Sequence, residues 1–182
     1  LATIRNANRL VFERHAALFN DLPEQFTHAE LVSLAKQSED AQLIRLSYEY
    51  QPLTFGRRHG DPSRPWNHYE IKLKDDNGER LLSYQGNWRD IFQNWEAIAL
   101  SYPGFIQSFL AKFVNASTMD GYNPYRITKD GIDWEMLEPD DPWSNIGYWG
   151  DHQIIYLLKF LELADKYQRD DLLAMMQTDV FS

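Results

Sequence analysis

Apolar residues recur at intervals of three and four along most of this chain, which is the spacing of an amphipathic helix. Thr27 and Glu30 form the pattern of a capping box, so a helix is predicted to begin at His28. Ser38 is predicted to cap the helix that follows. The predicted helices cover residues 3–20, 28–37, 39–48, 89–100, 104–116, 152–163 and 170–177.

One region has the period of two that is typical of a β-strand. Residues 68–74 and 79–84 alternate apolar and polar side chains on either side of a polar turn at 75–78. The Asn77-Gly78 pair favours a type I′ turn. The pattern therefore predicts a mainly α protein with one small β-hairpin.

The connections between helices predict how they pack. The helices over 89–100 and 104–116 are joined by a very short link, which favours an antiparallel helical hairpin. The helix over 152–163 is apolar around most of its circumference, so we expect it to be covered on several sides. Residues 115–151 are predicted to form a long loop, and its many aromatic residues argue against disorder.

Composition narrows the classes of function. The chain of 182 residues has a net charge of −9, which argues against nucleic acid as a partner. It has no Cys and no apolar run of the roughly 18 residues that cross a membrane. The histidines have no ligand spacing, so we predict no metal and no cofactor. These features favour a cytoplasmic protein, and the start at Leu1 rather than Met suggests a piece of a longer one.

Two predicted helix starts carry the mixture of residues that suits a sugar. Trp88, Arg89 and Asp90 precede one helix, and Trp149 and Asp151 precede another. Aromatic rings stack on the C–H faces of a sugar, while carboxylates and guanidinium groups bind its hydroxyls. Helices that alternate in direction bring the two starts to one end of the stack, so we predict that all five residues line a sugar subsite. Capping explains each of the two aspartates equally well.

The segment at 87–94, Asn-Trp-Arg-Asp-Ile-Phe-Gln-Asn, carries a family resemblance. It resembles the Arg-Asp-x-x-Gln-Asp segment of cellobiose and chitobiose phosphorylases, whose catalytic domain is an (α/α)6 toroid that related glycoside hydrolases share. Asp120-Gly121, the Thr-Lys-Asp-Gly run at 128–131 and Gly150-Asp151 follow in a similar order. Asn94 departs from the pattern, since the family has Asp there, and Gly150 stands where the family has the first Asp of a pair.

The resemblance implies a fold and a division of the chain. Residues 1–50 are then a helical lead-in segment. Residues 51–182 are part of a toroid built of antiparallel helical hairpins, with the long aromatic loop 115–151, and the chain is an N-terminal fragment of that domain. In the family the Arg-Asp pair holds hydroxyls of the sugar in the −1 subsite, which implies this role for Arg89 and Asp90.

The expected function is therefore that of a fragment of a carbohydrate-active enzyme, a glycoside hydrolase or a phosphorylase-like enzyme. Hydrolysis uses a carboxylic acid and a carboxylate, and phosphorolysis replaces the second by phosphate. Asp133, Glu135 and Asp151 are the candidate catalytic residues. The family's general acid would lie beyond Ser182, so we expect the isolated chain to be inactive.

The expected partners are a carbohydrate and, for phosphorolysis, phosphate. Open helix flanks also predict self-association or contact with the remainder of a parent chain. The alternative function is a non-catalytic helical module that binds a partner protein through the aromatic loop.

Overall fold

The structure, a computed structural model, describes residues 4–5, 8–20, 22–53, 55–56, 72–124, 126–129, 131–133, 148–149 and 154–181. Within these residues the chain is mainly helical with short strands, which confirms the predicted fold class. The helices are α1 (Arg9–Arg14), α2 (Ala16–Asn20), α3 (His28–Gln37), α4 (Ala41–Tyr48), α5 (Trp88–Ser101), α6 (Ile106–Asn115), α7 (Ile154–Tyr167) and α8 (Arg169–Met176), and a 3-10 turn at Pro103–Phe105 precedes α6. The strands are β1 (Phe55–Gly56), β2 (Tyr84–Asn87), β3 (Tyr122–Asn123), β4 (Arg126–Thr128), β5 (Gly131–Asp133) and β6 (Tyr148–Trp149).

The chain divides into two compact units. Unit 1 consists of residues 1–51, 98–115 and 157–182, and unit 2 consists of residues 52–97 and 116–156.

Local sequence patterns predict some of the helix ends of unit 1 correctly and others wrongly. The capping box of α3 is confirmed, since the Thr27 side chain accepts from the Glu30 backbone and the Glu30 side chain accepts from the Thr27 backbone. The cap predicted at Ser38 is wrong. Asp40 caps α4 by accepting from the backbone of Gln42 and Leu43, and the Ser38 hydroxyl donates to the Ala35 carbonyl instead.

The predicted single helix over 3–20 is interrupted at His15, where φ is −108° and ψ is 18°. The His15 ring nitrogen Nε2 lies 2.8 Å from Oδ2 of Asp40, and Arg14 donates to the same oxygen at 2.9 Å. The hydrogen bond to His15 is the main cause that lowers the pKa of Asp40 from 3.8 to about 2. The contacts of Arg14 and His15 with Asp40 therefore link the α1–α2 segment to the start of α4.

The core of unit 1 forms where α3, α4, α6 and α7 contribute buried apolar side chains. The rings of Phe109 on α6 and Phe160 on α7 are both fully buried, with centroids 5.6 Å apart. The expectation that α7 is covered on several sides is wrong for the side chains described. Ile154, Ile155 and Leu158 are 53%, 49% and 54% exposed, because the buried stripe of this helix runs through Phe160 and Ala164 only.

A buried carboxylate connects α4 to α6 within unit 1. Glu49 follows α4, and its Oε1 accepts from Nδ2 of Asn115 at 2.8 Å. Its Oε2 lies 3.4 Å from Nζ of Lys112. Asn115 Nδ2 also donates to the carbonyl of Val180 at 2.8 Å, so the polar contact extends to the end of the described chain.

His28 lies at a second polar junction of unit 1. Its Nε2 is 2.9 Å from the carbonyl oxygen of Ser47 and 3.5 Å from Oγ of Ser108, and the Phe105 ring packs against it with centroids 5.5 Å apart. Because a carbonyl oxygen only accepts, Nε2 carries the proton of this hydrogen bond. Burial lowers the pKa of His28 below its ordinary value, and the hydrogen bond to Ser47 opposes this only in part.

We expect acid to destabilise the fold through His28. The unfolded chain binds the proton more readily than the folded chain, so this contribution to stability is complete above about pH 6.5 and is lost as the pH falls below that value. His28→Gln should reduce the loss of unfolding free energy between pH 7.5 and pH 5, measured by urea denaturation at a series of pH values. His15→Gln is the matched control and should keep the His28-dependent part of that loss. An unaltered pH dependence in His28→Gln would contradict the assignment.

The part of unit 2 that the structure describes contains two small sheets. The first has the strand order β1-β2-β4-β5, with β1 parallel to β2 and the other pairs antiparallel. The second pairs β3 with β6 in antiparallel orientation. The described residues of the predicted loop over 115–151 therefore include four short strands, so the loop has regular structure.

The predicted hairpin is confirmed at its turn, where Lys74 and Arg80 form an antiparallel bridge. The type I′ prediction is wrong, since Gly78 has a φ of +84° and Asn77 does not have a positive φ. The Gly78 N–H donates to the Asp75 carbonyl, and the Asp75 N–H donates to the Glu79 carbonyl. The turn is therefore a three-residue hairpin loop over 76–78, and its third residue, Gly78, has the left-handed conformation. Residues 68–71 of the predicted first strand lie outside the described residues.

Candidate functional site

The candidate site begins where β2 passes directly into α5. Gly86 lets α5 approach β2 closely, because a Cβ at that position would lie only 3.1 Å from Cγ1 of Ile91. Trp88 is fully buried, and its ring centroid is 4.7 Å from that of Phe92. The junction therefore rests on a packed aromatic cluster in unit 2.

The three residues predicted at this helix start differ in their surroundings. Trp88 is 0% exposed and Asp90 is 8% exposed, whereas Arg89 is exposed. The Asp90 carbonyl accepts from Nδ2 of Asn94 at 2.6 Å, which fixes the first turn of α5. Of the three side chains, only that of Arg89 is exposed to solvent.

The sheet beside this junction has one apolar face. Gly86, Ile127 and Ile132 lie opposite one another on β2, β4 and β5, and Tyr84 shares their face because side chains alternate along a strand. Ile127 is fully buried, and the Tyr84 ring meets the Trp95 ring of α5 edge to face at 5.3 Å. The packing of this face against α5 fixes which way the other face points.

The other face is polar, and we call it the polar face. Asn87, Arg126 and Asp133 lie in one row across β2, β4 and β5, and Gln85 and Thr128 form the next row. Arg126 Nε donates to Oδ2 of Asp133 at 2.6 Å across the β4–β5 pair. The side chains of Arg126 and Asp133 are 38% and 51% exposed, while Asn87 is buried. Amide, guanidinium, hydroxyl and carboxylate groups are thus held together on one small surface.

The remaining predicted site residues are distributed as follows. Asp133 is on β5, where its carboxylate accepts from the Arg126 guanidinium. Trp149 is on β6 opposite Tyr122 of β3. Glu135 and Asp151 lie outside the described residues.

Sequence reasoning did not select Gln85, Asn87 or Arg126 as site residues. Their signal is a short alternation, in which Gln85 and Asn87 flank Gly86 and Arg126 precedes Ile127. Strands of three or four residues give too little pattern to reveal a face, and the register between β2 and β4 is not readable from either strand alone.

Within the described residues, no group of three or more His, Asp or Glu side chains is arranged to hold a metal ion. Among the same residues, no helix combines the length and the apolar character that crossing a membrane requires.

Residues 1–52 match the family model described as glycoside hydrolase family 149 insertion domain 1. This part of the chain is therefore similar to a glycoside hydrolase-related domain, and the match ends where α4 has led into the segment before β1. None of the curated proteins matches the chain.

Proposed function

We propose that this chain is part of a carbohydrate-active enzyme, a glycoside hydrolase or a phosphorylase-like enzyme, and that it contributes part of a sugar subsite. The observation that carries the proposal is the match of residues 1–52 to an insertion domain of a glycoside hydrolase family. The motif at 87–94, in a different part of the chain, supports the same class of protein independently.

The proposed subsite consists of Trp88, Arg89, Asp90, Trp149 and Asp151. Arg89 supplies five N–H donors to sugar hydroxyls, and its exposure supports this role. Asp90 is an acceptor at the start of α5, and Trp88 anchors the helix start by packing against Phe92. In this proposal the hairpins belong to an (α/α)6 toroid, and the catalytic carboxylates come from Asp133, Glu135 and Asp151 or from beyond Ser182. A cytoplasmic location and the use of phosphate belong to the same proposal.

The proposal predicts that Arg89→Ala in the intact protein weakens the binding of cellobiose, the sugar of the enzymes that residues 87–94 resemble. Loss of a hydrogen bond to a charged group costs about 1.5–3 kcal/mol, which corresponds to a rise in Kd of roughly 10- to 100-fold. Asp90→Ala should reduce turnover as well as binding. Isothermal titration calorimetry and a sugar-release assay measure the two effects.

Arg9→Ala is the matched control, since Arg9 is an exposed arginine on α1 that pairs only with the neighbouring Glu13 among the described residues. It should leave the Kd unchanged. Unchanged binding and turnover in both Arg89→Ala and Asp90→Ala would contradict the subsite.

A second candidate function is a non-catalytic helical module that binds a partner protein or a second copy of itself. The half-exposed apolar side chains of Ile154, Ile155 and Leu158 on α7 favour it, because exposed apolar residues at helical spacing are typical of contact surfaces. Sedimentation velocity separates the two functions. A monomer that binds cellobiose supports the enzyme, and a dimer without sugar binding supports the module.

A further inference from the structure

We propose that the hairpin turn at residues 75–79 is a site of spontaneous covalent modification, at which Asn77 loses its side-chain amide and is converted to isoaspartate and aspartate. The inference is independent of the proposed function. The sequence supplies the reactive pair, since Asn77 is the only asparagine of the chain that is followed by glycine. The co-reactant is water.

The reaction joins a backbone nitrogen to the side-chain carbonyl carbon of the preceding asparagine. The Gly78 nitrogen forms a bond to Cγ of Asn77, the bond from Cγ to Nδ2 breaks, and the Gly78 N–H proton leaves with Nδ2 as ammonia. Water then opens the five-membered imide ring at either of its carbonyl carbons. Opening at the backbone carbonyl leaves isoaspartate, and opening at Cγ leaves ordinary aspartate.

The surroundings of this pair give the reaction room. Asn77 and Gly78 are both exposed. Among the described residues the Asn77 side chain has no hydrogen-bond partner, since the hydrogen bond of this residue comes from its backbone N–H. A Cβ placed on Gly78 would meet no atom within 4 Å other than those of its chain neighbours, and glycine has no side chain of its own to hinder its nitrogen. Closure of the ring is therefore not hindered by any described side chain.

The hydrogen bonds of the turn control the rate. The Gly78 N–H donates to the Asp75 carbonyl at 3.0 Å, so the nitrogen has to leave this bond before it attacks. Oδ1 of Asp75 also accepts from the backbone N–H groups of Asn77 and Glu79, both at 2.9 Å. Because one such bond contributes little net free energy, each slows the reaction by only roughly 2- to 10-fold. The turn therefore delays the modification and does not prevent it.

Isoaspartate changes the hairpin, because its main chain runs through Cβ and Cγ and is one atom longer. The three-residue loop is closed by the hydrogen bond from the Asp75 N–H to the Glu79 carbonyl, and the Lys74–Arg80 bridge follows. A longer loop does not fit this closure. The new carboxylate also joins a turn that already carries three carboxylates, and like charges at close range repel. The modified hairpin is therefore expected to open more readily.

The test is incubation of the intact protein at neutral pH and physiological temperature, followed by proteolytic digestion and mass spectrometry. Asn77 is expected to lose its amide. Asn20 is the matched control and should keep its amide over the same time, because it is also exposed but is followed by Asp21. Asn77→Gln should abolish the conversion, since the five-membered ring can no longer close. Asp75→Ala removes the hydrogen bonds of Oδ1 and should accelerate the conversion by roughly 2- to 10-fold.

Two results would overturn the inference. One is a folded protein in which Asn77 keeps its amide through an incubation that fully converts Asn77 in the urea-unfolded chain, since the turn would then prevent the reaction. The other is equal loss of amide at Asn77 and Asn20.

The effect on the hairpin has its own measurement. Hydrogen exchange of the Leu81 N–H, which donates to the Leu73 carbonyl at 2.9 Å, reports how readily the two strands separate. Exchange should be faster in the chromatographically separated isoaspartate form than in the unmodified protein. Equal exchange in the two forms would contradict the opening of the hairpin.

Discussion

Replacing Phe109 with alanine is expected to lower the free energy of unfolding by about 3–5 kcal/mol, the cost of removing a fully buried phenyl ring. Phe109 is 0% exposed and packs against the Phe160 ring, so the substitution leaves a cavity between α6 and α7. The loss is the sum of two costs, the transfer free energy of the ring and the van der Waals contacts that its neighbours lose. Urea denaturation followed by far-UV circular dichroism measures it.

Tyr102→Ala is the matched control, because Tyr102 is an aromatic residue of the same unit that is mostly exposed. Its substitution should change the free energy of unfolding by less than about 0.5 kcal/mol. A loss below about 1 kcal/mol in Phe109→Ala would show that the α6–α7 contact does not form the core of unit 1 in solution.

The second large effect is expected at Glu49. Glu49→Leu removes a carboxylate that is almost fully buried, so the buried Lys112 loses this ion pair and Asn115 loses one of its acceptors, which should cost about 3 kcal/mol. Lys112→Met alone should be destabilising for the reciprocal reason. The double variant should lose clearly less than the sum of the two, because the Lys112 charge that Glu49→Leu leaves uncompensated is then absent.

The exposed pair Arg9–Glu13 provides the control for Glu49. Glu13→Ala should cost less than about 1 kcal/mol, since water replaces the ion pair at the surface. Strict additivity of Glu49→Leu and Lys112→Met would mean that the two side chains do not interact in the folded protein.

The elements that sequence reasoning predicted correctly are those whose cause is local. The α3 helix begins at a capping box whose two members are three residues apart, and the long apolar periodicity of α5 is visible within the helix itself. The interruption at His15 was not predictable in the same way. Its partner Asp40 is 25 residues away, and no sequence pattern around His15 indicates the contact.

The candidate site shows the same division between local and distant causes. Composition selected Trp88, Arg89 and Asp90 together, but their depth differs because successive residues of a helix point in different directions. Arg126 belongs beside Asn87 only through the register of β2 with β4, across almost forty residues of sequence. A single sequence gives no access to such pairings before the fold is known.

The interleaving of the two units has a consequence for synthesis on the ribosome. Glu49, which follows α4, accepts from Asn115, which is 66 residues further along the chain, so the α1–α4 segment emerges before this partner exists. The nascent protein therefore carries the α1–α4 segment without α6 while those residues are translated, and in that interval chaperone binding competes with aggregation.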